Sequence, residues 1–155
     1  MQIHIADEQT ECLIDHKKIK NQIRNILIAL ECKNIEISIL LTDDKKIQEL
    51  NKTYRGQNKP TDVLAFPQNE LKEKGLNNYL LGDVVISTVT AQRQSTQHEY
   101  SLEEEQILLL THGILHLLGY DHEKSDEEAY HMTKKTRELF YQIFPEKKLA
   151  QSCNF

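Results

Sequence analysis

Residues 101–122 have the sequence SLEEEQILLLTHGILHLLGYDH, which predicts a buried helix at the centre of the fold. Ser101 and Glu104 have the spacing of a capping box, in which both side chains accept hydrogen bonds from free backbone N–H groups at a helix start. From Ile107 to Leu118 the residues are apolar on nearly every side, so we expect this helix to be buried all round. Gly119 can adopt the left-handed conformation that ends such a helix.

Periodic segments before and after this helix predict the other elements. Apolar residues that alternate with polar ones indicate strands, and apolar residues three or four apart indicate helices. Strands are expected at Ile3 and Ile5, from Ile35 to Leu41, from Val63 to Phe66 with an end at Pro67, and from Tyr79 to Ser87. Helices are expected after Asp15, after Asp43, through Ala91 and Arg93, and after Ser125, where Glu128 completes a second capping box and Pro145 ends the helix. The pattern predicts one compact α+β domain, with a small mixed sheet of about four strands packed with about five helices.

Composition limits the function classes. The chain has 155 residues, 39% of them apolar, and a net charge of −5. An acidic chain is not typical of a dominant nucleic-acid binder, so any such role must depend on local basic patches. Lys17, Lys18, Lys20 and Arg24 are interpreted as a solvated helix face, whereas Lys52, Arg55 and Lys59 are predicted to share one loop region.

Membrane and disulfide patterns are both missing from the sequence. No apolar stretch approaches the roughly 18 residues that a membrane span needs, and the acidic start does not resemble an export signal. Cys12, Cys32 and Cys153 lie far apart and form no disulfide framework. A cytoplasmic protein without a membrane partner is therefore expected.

Three histidines predict a metal site at the end of the central helix. His112 and His116 are one helical turn apart, so their imidazoles lie on the same face about 6 Å apart along the axis. The chain turns at Gly119, and His122 can then supply a third ligand. Three neutral ligands with one open position are typical of catalytic zinc sites, and we expect one ion per chain. The alternative is three unrelated histidines, but two imidazoles on an apolar helix are costly to bury without a partner.

The spacing of these histidines also matches the ligands of metzincin proteases, which leaves more than one function open. Those proteases carry a glutamate as general base directly after the first histidine, and here that position is Gly113. A protease-like metallohydrolase is therefore the second hypothesis. A non-catalytic module stabilised by zinc is the third, although structural zinc sites normally have four protein ligands.

Three motifs resemble those of the YbeY endoribonuclease family. HGILHLLGYDH, at residues 112–122, resembles the family signature H-G-x-L-H-L-x-G-Y-D-H at every defined position. NKTYRGQNKPTDVLAFP, at residues 51–67, is similar to the family's N-x-x-Y-R and P-T-D-V-L-S-F-P segments, with Ala65 where the family usually has serine. LGDVVIS, at residues 81–87, is similar to the G-D-I-x-I-S strand that follows.

This resemblance implies a zinc-dependent, single-strand-specific endoribonuclease. It implies a role in rRNA maturation at the 3′ end of the small-subunit rRNA and in ribosome quality control. The partners it implies are single-stranded RNA or rRNA and the ribosome or ribosomal proteins, with no DNA expected. By the same analogy His112, His116 and His122 bind the zinc, Arg55 is the catalytic basic residue, and residues 1–155 form a single YbeY-like metallohydrolase domain.

The residues themselves support part of this chemistry. Cleavage of a phosphodiester adds negative charge to its oxygens, which a metal and a guanidinium can stabilise. A loop could aim Arg55 at the metal, although a surface arginine in a weak ion pair is the alternative. Asp121 is predicted to orient an imidazole, whereas Asp62 and Asp83 are predicted to cap turns at strand ends. Neither a general base nor the nucleophile, a metal-bound water or a ribose 2′-OH, follows from spacing.

Overall fold

Four strands and five helices make up the part of the chain that the computed structural model describes, residues 1–71 and 79–147. They are β1 (Gln2–Asp7), α1 (His16–Ala29), β2 (Ile35–Thr42), α2 (Asp44–Arg55), β3 (Val63–Leu71), β4 (Tyr79–Ser87), α3 (Thr88–His98), α4 (Leu102–Leu117) and α5 (Asp126–Ile143). The predicted α+β class is confirmed. Cys12 and Cys32 are free thiols, and Cys153 lies outside the described residues. None of the described helices is both long and apolar enough to cross a bilayer.

The sheet is mixed, as predicted, with strand order β1-β2-β4-β3. β1 and β4 are both parallel to β2, and β3 is antiparallel to β4 at one edge. The predicted end of β3 at Pro67 is wrong, because the strand continues to Leu71 with Pro67 opposite Gly82. An edge strand pairs on one side only, so a proline whose missing N–H would point outward removes no bond from the sheet. Gly82 has φ +140°, and a Cβ there would overlap the Phe66 carbonyl oxygen.

The two faces of the sheet are covered by different helices. Val84 and Ile86 point into the main core with α1 and α4, whereas Val85 points the other way and packs with Ile47 of α2. This alternation follows from the two-residue period of a strand. The predicted burial of α4 is confirmed, since its capping box forms and both Ile107 and Leu110 are fully buried.

α2 is longer than the sequence indicated. Asp43 caps its first turn, and the helix continues to Arg55, where Gly56 with φ +69° ends it. The prediction that Lys52 and Arg55 lie in a loop is therefore wrong: both occupy the last turn of α2, and only Lys59 follows in the loop. A helix is more rigid than a loop, so the position of Arg55 is set by the packing of α2 on the sheet.

Two other local predictions need correction. Ser125 caps α5 by accepting from the Glu128 backbone N–H, but the capping box is incomplete, and Glu128 Oε2 is buried without a hydrogen-bond partner. Asp83 lies within β4 rather than at its end, and Oδ2 accepts a 3.2 Å bond from Gln68 Nε2.

Candidate metal centre

The last two turns of α4 and the turn after it bring the three predicted histidines together. His112 and His116 lie on one face of α4, with their Nε2 atoms 3.0 Å apart. The helix ends at Leu118, and Gly119, with φ +96°, reverses the chain so that His122 meets the other two rings. The His122 ring centroid is 5.3 Å from that of each of the other imidazoles.

The geometry of the three rings fits a divalent ion. One ligand nitrogen from each histidine lies within 4.8 Å of the others, and no second group of this kind occurs among the described residues. A tetrahedral zinc ion about 2.0–2.1 Å from each nitrogen separates its donors by about 3.4 Å, so small rotations of the imidazoles would bring the three nitrogens to coordinating positions. His122 Nδ1 is buried without a hydrogen-bond partner. An unsatisfied buried nitrogen costs free energy of folding, which a group bound to this imidazole would offset.

The electrostatics of the cluster favour the neutral imidazoles that bind metals. Burial lowers the pKa of His112 to about 4, and the charges of His116 and His122 contribute to the shift. Burial also lowers the pKa of His116, followed by the charge of His122, while Asp121 opposes the shift. Both rings are therefore neutral and able to coordinate at pH 7.

Asp121 shapes the turn that carries His122. Its Oδ1 accepts a 2.9 Å hydrogen bond from the Glu123 backbone N–H, and its charge acts on His116. Because His122 Nδ1 has no hydrogen-bond partner, Asp121 does not hold that nitrogen. Its predicted role in orienting an imidazole stays a prediction.

The histidines open into a cavity of about 800 Å³ between the end of α4, the start of β3 and the end of α2. Arg55 lines this cavity, although α2 packs against the opposite face of the sheet from α4. Its side chain is exposed, and it has no ion-pair partner among the side chains that the structure describes. A guanidinium without a competing carboxylate is available to an anionic ligand in the cavity.

Packing explains the glycine that replaces the protease glutamate. A Cβ on Gly113 would lie 2.6 Å from Val84 Cγ1 and 3.2 Å from Cγ2. Val84 is fully buried in β4 and is β-branched, so it cannot easily move aside. The close approach of α4 to the sheet therefore leaves no room for a side chain at this position.

Sequence reasoning missed other residues near the site. Tyr54 and Phe66 line the main cavity and contact each other, with ring centroids 5.3 Å apart. His98, which has no companion at ligand spacing in the sequence, binds the buried Glu105 at 3.0 Å beside a smaller cavity that reaches His112. Of these residues only Tyr54 offered a signal in the sequence, because it is an aromatic residue directly before Arg55. The contacts of Phe66 and His98 join distant parts of the chain and leave no local pattern.

His4, His16 and His131 lie away from this centre. His4 pairs with Glu36 and His16 with Asp7, at 3.0 and 2.7 Å. His131 is an ordinary surface residue of α5, with 59% of its side chain exposed.

Comparisons with known proteins agree on one family. The family model described as Endoribonuclease YbeY matches residues 4–143. Proteins named Endoribonuclease YbeY include one from Aquifex aeolicus, 54% identical over 79% of this chain and 77% of its own length, and one from Persephonella marina, 47% identical over 91% and 92%. A third, from Petrotoga mobilis, is 40% identical over 96% of this chain and 99% of its own length.

A solved structure has the same fold. The solution structure of TM1509 from Thermotoga maritima covers 94% of this chain with a TM-score of 0.64 and 26% sequence identity, and 91% of that chain is matched. The family model and the relatives each span most of the sequence, including the three motifs around Arg55, β4 and the histidines. The chain therefore belongs to the YbeY endoribonuclease family.

Proposed function

We propose that this chain is a metal-dependent, single-strand-specific endoribonuclease with one zinc ion held by His112, His116 and His122. The observation that carries the proposal is the cavity lined both by the three imidazoles and by Arg55, whose guanidinium has no ion-pair partner among the described residues. The names of its relatives, Endoribonuclease YbeY, support the reaction class.

In this proposal the three histidines hold the ion and Arg55 binds the phosphate. When bound, a divalent ion supplies Lewis-acid stabilisation of phosphate oxygens and lowers the pKa of water that it binds. Arg55 offers two parallel N–H donors to the phosphate, a geometry that suits two oxygens of the same group. Its place in the last turn of α2 fixes the position of its backbone beside the cavity. Arg55 is thus the catalytic residue that stabilises charge as the phosphodiester is cleaved.

Asp62, one of the carboxylates that line the cavity, is engaged in local structure. Asp62 Oδ1 accepts a 2.8 Å bond from the Val63 backbone N–H, and Oδ2 accepts from Gln94 Nε2 at 3.3 Å. This arrangement agrees with the predicted capping role of Asp62. Since Gly113 also has no space for a glutamate, the structure gives no support to the protease-like hypothesis. A non-catalytic zinc module is disfavoured because the histidines face a large open cavity rather than a closed four-ligand site.

Charge bears on how the RNA reaches the site. The cavity is lined by Asp62, Asp121 and Glu123 as well as by Arg55 and Lys124. The whole chain carries −5, so long-range attraction to RNA is weak. We therefore infer that the ribosome or a ribosomal protein presents the substrate, the 3′ end of small-subunit rRNA, within the cytoplasm, and that residues 1–155 act as one YbeY-like domain.

The test is cleavage of labelled single-stranded RNA by zinc-loaded protein, with an RNA duplex and casein as alternative substrates. The wild type should cut the single strand and leave the duplex and casein intact. His112→Ala should be inactive, whereas the matched control His131→Ala, which changes an exposed histidine on α5, should cut normally. Metal-dependent casein cleavage that is lost in His112→Ala would instead favour the protease-like hypothesis.

The proposed rRNA substrate needs its own measurement. Precursor small-subunit rRNA should be cut near its 3′ end faster within the ribosomal particle than as naked RNA. Equal rates on both would remove the proposed contribution of ribosomal partners without changing the assignment as an RNase.

A further inference from the structure

A large exposed aromatic side chain lies beside Arg55 at the mouth of the cavity. Tyr54 is 66% exposed, and it lines the same cavity as the histidine cluster. An exposed tyrosine taken alone is ordinary on a protein surface. Here, however, Tyr54 lies inside a concave site, next to Arg55, which has no ion-pair partner within residues 1–71 and 79–147.

The Tyr54 ring packs against a second aromatic ring. The Phe66 ring contacts it edge to face, with centroids 5.3 Å apart and an interplanar angle of 63°. Phe66 in turn packs against the buried side chains of Ile47, Leu64 and Val85 between α2 and the sheet. The tyrosine is thereby held by the fold, and most of its surface remains open to a flat ligand.

We propose that Tyr54, supported by Phe66, is a stacking platform for one unpaired nucleobase of the RNA strand whose phosphate binds Arg55. The platform rests on the proposed ribonuclease function and names the feature of the substrate that this site recognises. Every base has an apolar face that stacks on an aromatic ring, so the contact tolerates different sequences. In a duplex both faces of a base are covered by its neighbours, and such a base cannot stack on Tyr54. The platform therefore selects single strands.

Electrostatics make this contact important for affinity. Acidic side chains at the cavity, Asp62, Asp121 and Glu123, outnumber the basic Arg55 and Lys124. Even with a divalent ion held by the histidines, the cavity carries much less positive charge than the broad basic surfaces through which many proteins bind nucleic acid. Stacking supplies affinity that does not depend on charge.

The test measures binding rather than cleavage. A fluorescent single-stranded RNA analogue with 2′-O-methyl riboses and phosphorothioate linkages, shown by gel to remain uncut, is titrated with zinc-loaded protein. Tyr54→Ala should weaken binding on the order of tenfold, the typical loss for one stacked base. Tyr54→Phe and Tyr54→Trp should bind as tightly as the wild type, because both retain the aromatic face. Tyr54→Leu should bind as weakly as Tyr54→Ala if stacking, rather than apolar contact, is the cause.

Tyr130 provides the matched control. It is 64% exposed on α5 and lies outside the cavity, so Tyr130→Ala should leave binding unchanged. Thermal unfolding should show that both alanine variants keep their fold, since neither side chain is buried.

A second series locates the base. Replacing single nucleotides of the strand by abasic ones should weaken wild-type binding most at one position, and Tyr54→Ala should be insensitive to that replacement. An abasic effect of equal size in Tyr54→Ala would overturn the proposal, as would wild-type affinity in Tyr54→Ala or Tyr54→Leu. If the wild type cuts RNA while Tyr54→Ala binds normally, only the platform is wrong. If the wild type neither binds nor cuts RNA, the proposed function fails and the platform with it.

Discussion

Gly113→Ala tests the close packing of α4 against the sheet with a single added methyl group. The new Cβ would lie 2.6 Å from Val84 Cγ1, much closer than van der Waals contact, and 3.4 Å from Val63 Cγ2. Two opposing effects follow. Alanine favours a helix over glycine by about 1 kcal/mol, and overpacking a rigid core costs about 1–3 kcal/mol.

The overpacking cost should lie near the upper end of this range. Val84 is fully buried in the middle strand β4, and its branched side chain has little freedom to rotate away. We therefore expect Gly113→Ala to lower the free energy of unfolding by about 2 kcal/mol. Urea denaturation with excess chelator measures this directly, because a bound metal would otherwise add its own binding energy to the folded state.

A double-mutant cycle with Val84→Ala makes the test specific. Val84→Ala alone should cost about 2–3 kcal/mol for the lost methyl groups and the cavity. In that background the space beside residue 113 is open, so Gly113→Ala should be neutral or stabilise the protein by up to about 1 kcal/mol. Gly56→Ala is the control: residue 56 has φ +69° and no atom near its Cβ position, so its cost of about 1–2 kcal/mol should be the same in both backgrounds.

The reasoning would be refuted by two results. One is a Gly113→Ala variant as stable as the wild type or more stable. The other is a free-energy change of the same size with and without Val84→Ala. Either would mean that contact with Val84 is not what requires glycine at residue 113.

The other predictions concern the proposed metal site and the proposed catalytic role of Arg55. Elemental analysis should find one zinc ion per chain, absent from His116→Ala and retained by His131→Ala; full occupancy in His116→Ala would remove His116 from the ligand set. Burial lowers the pKa of His112 from 6.5 to about 4, so the unfolded chain takes up protons before the folded one as the pH falls through this window. The metal-free protein should therefore lose stability between pH 6.5 and 4, and a flat urea midpoint there would contradict the burial argument. Zinc should dissociate as the pH falls below about 6, because protonated imidazoles cannot coordinate, as dialysis and elemental analysis would show; a zinc content unchanged down to about pH 5 would argue against an all-histidine site. Arg55→Lys should keep its zinc and its RNA affinity but turn over about 10²–10³ times more slowly, because lysine cannot present two parallel donors. Wild-type turnover in Arg55→Lys would mean that only the charge matters.

Local sequence patterns were sufficient for α4 and its histidines. The capping box at Ser101, the apolar run and the spacing of His112 and His116 depend on neighbours within one or two helical turns. Helical geometry makes such short-range patterns reliable, since residues four apart must lie on the same face. Gly119 was predictable for the same reason, because the turn after a helix favours a residue that tolerates a positive φ.

Tertiary structure was needed wherever the cause lies in a distant part of the chain. Pro67 is compatible with β3 only because β3 is an edge strand, and strand order is not visible in local periodicity. Arg55 was wrongly assigned to a loop although Gly56 carries the same local signal for a helix end as Gly119, so the length of α2 did not itself require the tertiary structure.

The residues of the candidate site show the same difference between what local sequence predicts and what only the folded chain reveals. The three histidines proposed to bind the metal come from one short segment, so their spacing in the sequence was enough to predict that they lie together. Arg55, Tyr54 and Phe66 reach the cavity only because α2 and β3 pack at the edge of the sheet next to the end of α4. The sequence shows that residue 113 is glycine, but the reason is the side chain of Val84 on a neighbouring strand. Hydrogen bonding within a helix is local, whereas packing brings together residues at any separation, and for this reason the site as a whole could be seen only in the folded chain.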